Sequence, residues 1–471
     1  MERNSRNTVL RILMETERDP VRFSAELRRA LDERAELPEN QRAFLKRLAE
    51  GCLGDRLRLD AVIDRFSRQP AARLRPAIRW ILRMGIYQIL YMDAVPDAAA
   101  CNEQVKLARR YGFGNLAGFV NAVLRRVAAE KESLRAELSS GRTDIRYSIP
   151  DWILALWREQ QGGQRAEEIA EMMNRIRPVT IRLREFLSPA RRERLLAELA
   201  AAGAEPVPSR WLPYAFSLRG TADIRRLPGF AEGAFTVQDE SSQLCAEAAG
   251  IRGGETVYDV CAAPGGKAMH CADKLLACAA AGKDGGGLSG AGGLPAGALH
   301  AGRVFAFDQY PGKLRRIEEN LERMGLSSLV TAGIRDARAK IPESERKTAD
   351  LVICDAPCSG LGVMGRKQGI RYRVTREDLD VLAHLQREIL RRAAGYGKPG
   401  GVLIYSTCTI NRMENEENAE FIERELGLLP DPLKGLLPEG LPGIRGNTVQ
   451  LMPDIHGTDG FFIARFRFPE R

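Results

Sequence analysis

The sequence predicts an α/β fold: a mainly parallel, Rossmann-like sheet preceded by an all-α domain and a small α/β module. Three observations support this prediction. Strands and helices alternate from about residue 233 onward, helical periodicity dominates the first 130 or so residues, and short strands mix with helices in between. A chain of 471 residues has room for about two to four domains. We therefore expect domains at 1–135, 145–232 and 233–471.

The N-terminal region carries apolar residues at helical spacing, most clearly from Ile78 to Leu90, which predicts a core helix. Arginines recur on the other side of that helix. They form either a solvated face or a face that contacts RNA, and both interpretations stay open. These arginines are Arg73, Arg75, Arg79 and Arg83. The predicted helices are Asn7–Glu15, Phe23–Glu33, Glu39–Ile63, Pro76–Met92, Ala98–Tyr111 and Leu116–Lys131.

The rest of the chain contains strands. In the middle region Pro178–Leu183 and Tyr214–Leu218 predict strands, and Pro189–Ala202 predicts a helix. The stretch Ala279–Gly302 is dominated by Gly and Ala, buries little surface and predicts a flexible insertion. The strands of the C-terminal sheet are predicted at Thr256–Val260, Val304–Phe307, Leu329–Ala332, Leu351–Cys354, Val402–Tyr405 and Phe461–Phe468.

Composition narrows the class of protein. A formal charge of +9 suits an anionic partner such as RNA, and 44% hydrophobic residues are typical of a globular chain. No apolar run approaches about 18 residues and no signal peptide is recognisable, so we expect a cytoplasmic protein with no membrane contact. We also expect a monomer. The nine cysteines form no C-x-x-C pair and the four histidines are scattered, which predicts reduced thiols and no metal.

Two of the cysteines carry the strongest signal. Cys358 and Cys408 each follow a predicted buried strand, and upstream the Gly/Pro-rich turn Cys261–Lys267 follows another. C5 of a pyrimidine is a weak nucleophile, but attack of a thiolate on C6 makes C5 carbanion-like and able to take a methyl group. A positive neighbour favours the thiolate, and both Lys267 and the basic loop after Cys358 are candidates.

Aspartates after successive strands point to a nucleotide-like cofactor. Asp308 is placed to accept hydrogen bonds from ribose hydroxyls, Asp336 to meet an adenine amino group, and Asp355 stands beside Cys358. The turn at 261–267 has neither the G-x-x-x-x-G-K-[ST] nor the G-x-G-x-x-G pattern, which disfavours ATP-type and dinucleotide chemistry. S-adenosyl-L-methionine fits better.

Five segments in order resemble the RsmB (Sun/Fmu) family of 16S rRNA cytosine-C5 methyltransferases: Gln238–Ser242, Asp259–Lys267, Asp355–Gly360, Ser406–Thr409 and Gly457–Phe462. The N-terminal region is similar to the NusB-like helical RNA-binding domain. That second resemblance rests on Arg79–Leu90, Asn102–Val105 and Phe119–Arg126.

The resemblance implies a class I methyltransferase that forms 5-methylcytosine in small-subunit ribosomal RNA. It implies that Cys408 is the nucleophile, that Cys358 assists release of the methylated RNA, and that Asp355 holds the cytosine edge and touches the cofactor site. It also implies that Asp308 binds the cofactor ribose and Asp336 its adenine. The methionine part would be wrapped by Cys261, Ala262, Ala263, Pro264, Gly265, Gly266 and Lys267.

A basic loop follows Cys358. Gly365-Arg366-Lys367 and Arg371-Tyr372-Arg373 offer charges and a ring for phosphate contacts and base stacking, although a charged surface loop would look the same. Gly365 and Gln368-Gly369 depart from the usual family pattern there. Two other functions stay open: a non-catalytic ribosome-assembly factor that uses the fold as a scaffold, and an amino-methylating enzyme that does not need Cys408.

Overall fold

A computed structural model describes residues 4–19, 22–175, 177–220, 223–281 and 301–470. The chain forms two compact units, Met1–Arg175 with Met364–Arg376, and Ile176–Val363 with Glu377–Arg471. Residues 143–174 are therefore part of the helical unit, whereas the sequence analysis assigned 145–232 to the α/β module. The domain boundaries stay a prediction. The predicted flexible insertion lies largely outside the described residues.

The first unit is helical. Its central helix is buried from Ala77 to Leu90 apart from Arg79, as the apolar spacing predicts, and Pro76 opens its first turn. The helices are α1 (Ser5–Arg18), α2 (Phe23–Asp32), α3 (Glu39–Gly54), α4 (Arg56–Phe66), α5 (Pro76–Tyr91), α6 (Asp97–Arg110), α7 (Ala117–Ala129), α8 (Lys131–Ser140), α9 (Thr143–Tyr147), α10 (Asp151–Gln161) and α11 (Gly163–Asn174).

The prediction of a single helix over Glu39–Ile63 is wrong, because the chain turns at Asp55 between α3 and α4. Asp55 has φ −92° and ψ 18°, outside the helical range. The carbonyl of Gly54 accepts hydrogen bonds from Tyr372 Oη (3.1 Å) and Arg371 Nη1 (3.4 Å) instead of continuing the helix. Both donors are distant in sequence, so helical periodicity alone could not reveal the break.

The arginines of α5 do not form one continuous surface. Arg83 is buried, pairs with both oxygens of Asp60 at 2.7 Å and stacks 4.2 Å over the Trp80 ring. Arg79 is half-buried and pairs with Glu17. Arg83 therefore lies neither on a solvated face nor on a face that contacts RNA; it is a buried structural residue.

The second unit begins with a four-stranded antiparallel sheet in the order β2-β3-β1-β4. Its strands and helix confirm those predicted for the middle region. The elements are β1 (Val179–Leu183), α12 (Pro189–Ala201), β2 (Glu205–Pro208), β3 (Ala215–Arg219) and β4 (Phe235–Val237).

A nine-stranded sheet follows, in the order β11-β12-β13-β9-β8-β5-β6-β7 with β10 beside β13. Strands β5 to β9 are parallel and β13 runs antiparallel to β9. The elements are α13 (Glu240–Ala249), β5 (Thr256–Asp259), α14 (Gly266–Ala281), β6 (Arg303–Asp308), α15 (Pro311–Arg323), β7 (Val330–Ile334), β8 (Ala349–Asp355), α16 (Arg376–Ala393), β9 (Gly397–Thr407), α17 (Glu416–Arg424), β10 (Leu429–Pro430), β11 (Ile444–Arg445), β12 (Thr448–Leu451), α18 (Pro453–His456) and β13 (Phe461–Arg467). All six predicted strands are present.

Strand β5 lies at the switch point of this sheet, because the strands on its two sides, β6 and β8, are reached by connections in opposite directions. In open α/β sheets the ligand crevice lies outside the carboxyl ends of the strands at such a point. A buried ion triad holds α14 in place there: Asp273 pairs with Arg182 at 2.5 Å and with Arg184 at 2.9 Å. Within the described part of the chain, no helix is long and apolar enough to cross a membrane.

Candidate active site

The structure brings the predicted site residues to one edge of the large sheet. Asp259 ends β5, Asp308 ends β6, Asp355 ends β8 and Cys408 follows β9 directly. Asp336 lies two residues beyond β7. Since these five strands are parallel, their carboxyl ends meet at the same edge.

The turn at 261–267 brings backbone close to that edge. Its Ala262 N–H donates to the carbonyl of Phe307 in β6 at 2.8 Å, and Gly266 begins α14. Gly265 has a φ of +97°, and a Cβ at this position would lie 3.3 Å from Met269 Cε. A glycine turn that leads into a helix N-terminus lets a ligand approach the main chain closely.

Lys267 points into the site and pairs with Asp355, not with a thiol. Its Nζ lies 2.6 Å from Asp355 Oδ2, and Ser406 Oγ donates to Asp355 Oδ1 at 2.9 Å. Burial alone would lower the pKa of Lys267, but Asp355, Cys245 and Asp259 together raise it above its ordinary value. The ammonium is therefore charged, and both oxygens of Asp355 are fixed in orientation.

Asp259 is buried beneath the turn. Its Oδ1 accepts a weak hydrogen bond from the Cys261 N–H at 3.4 Å, while Oδ2 has no hydrogen-bond partner among the described residues. Burial raises the pKa of Asp259 to about 7, against the opposing effect of Lys267. This carboxyl thus changes charge near neutral pH, beside the predicted cofactor turn.

The two outer aspartates differ in exposure. Asp308 is buried; its Oδ1 accepts from the Tyr310 N–H at 3.1 Å and its Oδ2 from Lys313 Nζ at 3.4 Å. Asp336 is only half-buried and is bound to Arg338, which lowers the pKa of Asp336 by hydrogen bonding. A glycine turn and carboxylates on neighbouring strand ends form a donor and acceptor set that fits S-adenosyl-L-methionine.

The two predicted cysteines are adjacent. Cys358 Sγ and Cys408 Sγ are 3.3 Å apart, both are thiols, and both side chains are half-buried. The pKa of Cys358 is raised well above its ordinary value, first by its hydrogen bond with Cys408 and then by burial. Either sulfur can be the donor in this contact.

Two glycines bring a neighbouring loop against Cys408. The Gly362 N–H donates to the Cys408 carbonyl at 3.1 Å, and the Gly460 N–H donates to the Gly362 carbonyl at 2.9 Å. A Cβ at Gly362 would clash with the Gly460 carbonyl. The segment Gly457–Phe462, noted only as a motif, thus supports the backbone of the thiol loop.

A buried polar cluster that the sequence did not reveal lies behind the thiols. Ser359 follows Cys358, Thr409 follows Cys408, and their hydroxyl oxygens are 2.8 Å apart. Glu414 is buried and accepts from the Ser359 N–H at 2.8 Å. Ser359 and Thr409 could have been noticed from the sequence, because each directly follows one of the two cysteines. No sequence motif points to Glu414.

The basic loop proves to be partly structural. Arg371 is buried, and its Nη1 donates to the carbonyls of Ser148 (3.1 Å) and Tyr147 (3.3 Å). Tyr372 Oη lies 2.9 Å from Ser148 Oγ. The prediction that both residues face RNA is therefore wrong, because the helical unit uses them as internal contacts. Lys367 and Arg373 are exposed.

The departures in that loop fit its packing in the helical unit. A Cβ at Gly365 would lie 3.1 Å from the Met173 carbonyl, and Gln368 packs against Gly54, where a Cβ would clash with its side-chain oxygen. A larger residue at 365 would push against main chain.

One group of potential metal ligands occurs among the described residues: Glu185, Glu247 and His270. Lys274 Nζ lies 3.2 Å from Glu185 and 2.7 Å from Glu247, so a lysine ammonium balances these carboxylates. Burial lowers the pKa of His270 well below its ordinary value, which keeps the imidazole neutral. The absence of a metal stays a prediction.

Family models and relatives match nearly the whole chain. Residues 3–129 match the NusB family, 149–225 the ferredoxin-like domain of RsmF/B-like methyltransferases, and 291–467 the 16S rRNA methyltransferase RsmB/F. A probable ribosomal RNA small subunit methyltransferase B of Bacillus subtilis is 34% identical over 98% of each chain.

Solved structures share the fold. The crystal structure of PH0851 has a TM-score of 0.77 at 24% identity and covers 99% of each chain. A methyltransferase homologue from Pyrococcus horikoshii is 27% identical with a TM-score of 0.53, over 69% of this chain and 97% of its own.

Proposed function

The chain belongs to the 16S rRNA methyltransferase RsmB/F family, and from this premise we propose that it methylates C5 of a cytosine in small-subunit ribosomal RNA. The family and the fold class predicted from the sequence are confirmed, and so is the predicted cofactor, S-adenosyl-L-methionine. One observation supports the finer proposal above all. Two thiols lie 3.3 Å apart at the strand ends where the cofactor turn also lies.

In this proposal Cys408 is the nucleophile. Its thiolate attacks C6 of the cytosine, a carbon–sulfur bond forms, and the electron pair of the C5–C6 double bond shifts toward C5. When bound, S-adenosyl-L-methionine supplies the methyl group that C5 takes up. Water then takes the C5 proton, the electron pair of that C–H bond restores the C5–C6 double bond, and the carbon–sulfur bond breaks with its electron pair returning to the Cys408 sulfur.

Cys358 supports this role of Cys408. Because it keeps its proton, its S–H donates to the neighbouring sulfur and favours the thiolate form of Cys408 over that of Cys358. After methyl transfer the same thiol assists release of the RNA from the adduct.

The remaining site residues bind and orient the cytosine and the cofactor. Asp355, held by Lys267 and Ser406, accepts a hydrogen bond from the amino edge of the cytosine. Asp308 and Asp336 bind the ribose and adenine of the cofactor, and the turn at 261–267 binds its methionine part.

The substrate base must leave its stack before a thiol can reach C6, so the proposal requires a flipped or unpaired cytosine. The NusB-like unit adds RNA affinity, and the exposed Lys367 and Arg373 are the residues of the basic loop that remain for phosphate contacts. The monomeric state and the cytoplasmic location expected from the sequence stay predictions.

The test measures methyl transfer from labelled S-adenosyl-L-methionine to protein-free small-subunit RNA, followed by base analysis. We compare the parent with Cys408→Ala, Cys358→Ala and the control Cys278→Ala, a cysteine on α14 away from the thiol pair. The parent and the control should form 5-methylcytosine, and Cys408→Ala should form none. Cys358→Ala should accumulate an RNA–protein adduct that survives denaturing gels.

Each other result favours a different function. Unchanged turnover in Cys408→Ala would remove the covalent route and point to amino methylation. An inactive parent on both naked RNA and assembling subunits, with cofactor binding intact, would favour the scaffold function.

A further inference from the structure

The buried carboxylate of Glu414 is surrounded by donors. Its Oε2 accepts from the Ser359 N–H and from Gln386 Nε2, both at 2.8 Å. Its Oε1 accepts from Ser359 Oγ and from Asn411 Nδ2 at 3.2 Å. Backbone and amide N–H groups cannot accept a proton, so this environment satisfies the ionised form of the carboxyl group.

This cluster ties the two thiol loops together. Ser359 directly follows Cys358, and because its hydroxyl donates to Glu414, it accepts from the Thr409 hydroxyl, which directly follows Cys408. Gln386 Nε2 also donates to the carbonyl of Pro357 at 2.9 Å, on the other side of Cys358. The residues on both sides of Cys358 and one neighbour of Cys408 therefore depend on the Glu414 cluster.

The carboxylate also acts on the protonation of Cys358. The charged or titratable groups that act on Cys358 include Cys408 after β9, Tyr405 in β9, Glu414 before α17 and Asp355 at the end of β8. Asp355 is partly balanced by Lys267 of α14 at 2.6 Å. Glu414 opposes the loss of a proton from Cys358, and two of its hydrogen bonds come from Ser359, the residue directly after Cys358.

We propose that Glu414 is a positioning residue that fixes the spacing of the two thiols and retains the proton of the pair on Cys358, which leaves Cys408 as the thiolate. This inference rests on the proposed function, because it explains how one of two adjacent thiols becomes the nucleophile. The carboxylate itself touches neither RNA nor cofactor in this role; it acts through Ser359 and through its charge.

The test uses the full-length chain, without RNA for alkylation and with small-subunit RNA for turnover. Glu414→Gln removes the charge and keeps the shape, Ser359→Ala removes the hydroxyl link and keeps the charge, and Glu423→Gln on the exposed side of α17 is the matched control. Alkylation of Cys358 and Cys408 by iodoacetamide is followed by peptide mass spectrometry from pH 6 to pH 10. This readout needs no turnover.

Glu414→Gln should shift the alkylation profile of Cys358 to lower pH and raise the Cys358 to Cys408 alkylation ratio at pH 7.5 by about tenfold, the change expected for about one pKa unit. Ser359→Ala should leave the Cys358 profile in place. Both variants should lower kcat by about tenfold or more with little change in KM, since the loops rather than substrate binding are disturbed.

A Glu414→Gln profile and ratio equal to those of Glu423→Gln would overturn the proposal even if Cys408 proves to be the nucleophile. If Glu414→Gln does not fold, as judged by its melting curve, Ser359→Ala carries the test, and an unchanged kcat in that variant would overturn the positioning role. If Cys408→Ala remains active, the proposed function fails, while the alkylation result still reports how the proton is shared.

Discussion

Asp259 should make the stability of the catalytic unit depend on pH. Burial raises its pKa from 3.8 to about 7. At 1.36 kcal/mol per pKa unit, ionising this carboxyl in the folded state costs about 4 kcal/mol. The folded protein holds the proton at pH values where the unfolded chain has lost it. Through this group the free energy of unfolding is therefore highest below the ordinary pKa and falls as pH rises toward 7.

Between pH 5 and pH 8 the loss amounts to about 2–3 kcal/mol, since the decline of about 1.4 kcal/mol per pH unit stops near the folded pKa. His270 acts in the opposite sense. Its pKa is lowered by burial, so its contribution to stability increases with pH up to about its ordinary value of 6.5. The pH profile of the parent alone would mix the two effects.

The measurement is therefore a difference between variants. Asp259→Asn stays neutral, whereas Asp380→Asn replaces an exposed carboxylate of α16 and serves as control. Melting is followed by calorimetry at pH 5, 6, 7 and 8. The Tm of Asp259→Asn minus the Tm of the parent should increase by about 5–10 °C from pH 5 to pH 8. If this Tm difference stays constant from pH 5 to pH 8, as it should for the control variant, the assignment of a raised pKa to Asp259 is refuted.

Three further predictions follow from single contacts. Arg371→Ala should lower the Tm of the helical unit by about 4–12 °C, because about 2–3 kcal/mol of buried hydrogen bonding is lost, while the exposed Arg373→Ala should not. Lys267→Met leaves Asp355 without its cation and should weaken S-adenosylhomocysteine binding by about 10–100-fold in titration calorimetry. Gly265→Ala forces a side chain into φ +97° and should weaken the same binding by about fivefold or more.

The sheet was predictable because each strand is a short apolar run that ends in a turn or polar residue, and strand period and length are local properties. Because the end of each strand could be located in the sequence, the sites of four residues at or after strand ends could be predicted too: Asp259, Asp308, Asp355 and Cys408. A residue at the end of a parallel strand lies at the carboxyl edge of the sheet. The groups that meet at this edge could therefore be predicted from the sequence, but the distances between them could not.

The partners of those groups could not be predicted in the same way. Lys267 was expected to favour a thiolate but pairs with Asp355, 88 residues later in the chain. Glu414 lies 55 residues from Ser359 and resembles any glutamate before a helix. Long-range hydrogen bonds depend on how strands and loops pack, and neither periodicity nor motif spacing encodes that packing.

The formal charge of +9 does not tell which cations RNA would meet. Arg83 is neutralised inside the helical unit by Asp60, and Arg182 and Arg184 share Asp273 in the catalytic unit. Buried ion pairs contribute little to the external potential, because the opposite charges lie within one hydrogen bond of each other. Counterion release on RNA binding depends instead on exposed cations that approach phosphates. The slope of RNA affinity against salt should therefore respond to exposed cations such as Arg373 and not to the buried arginines, which makes that slope, rather than net charge, the measure of the RNA surface.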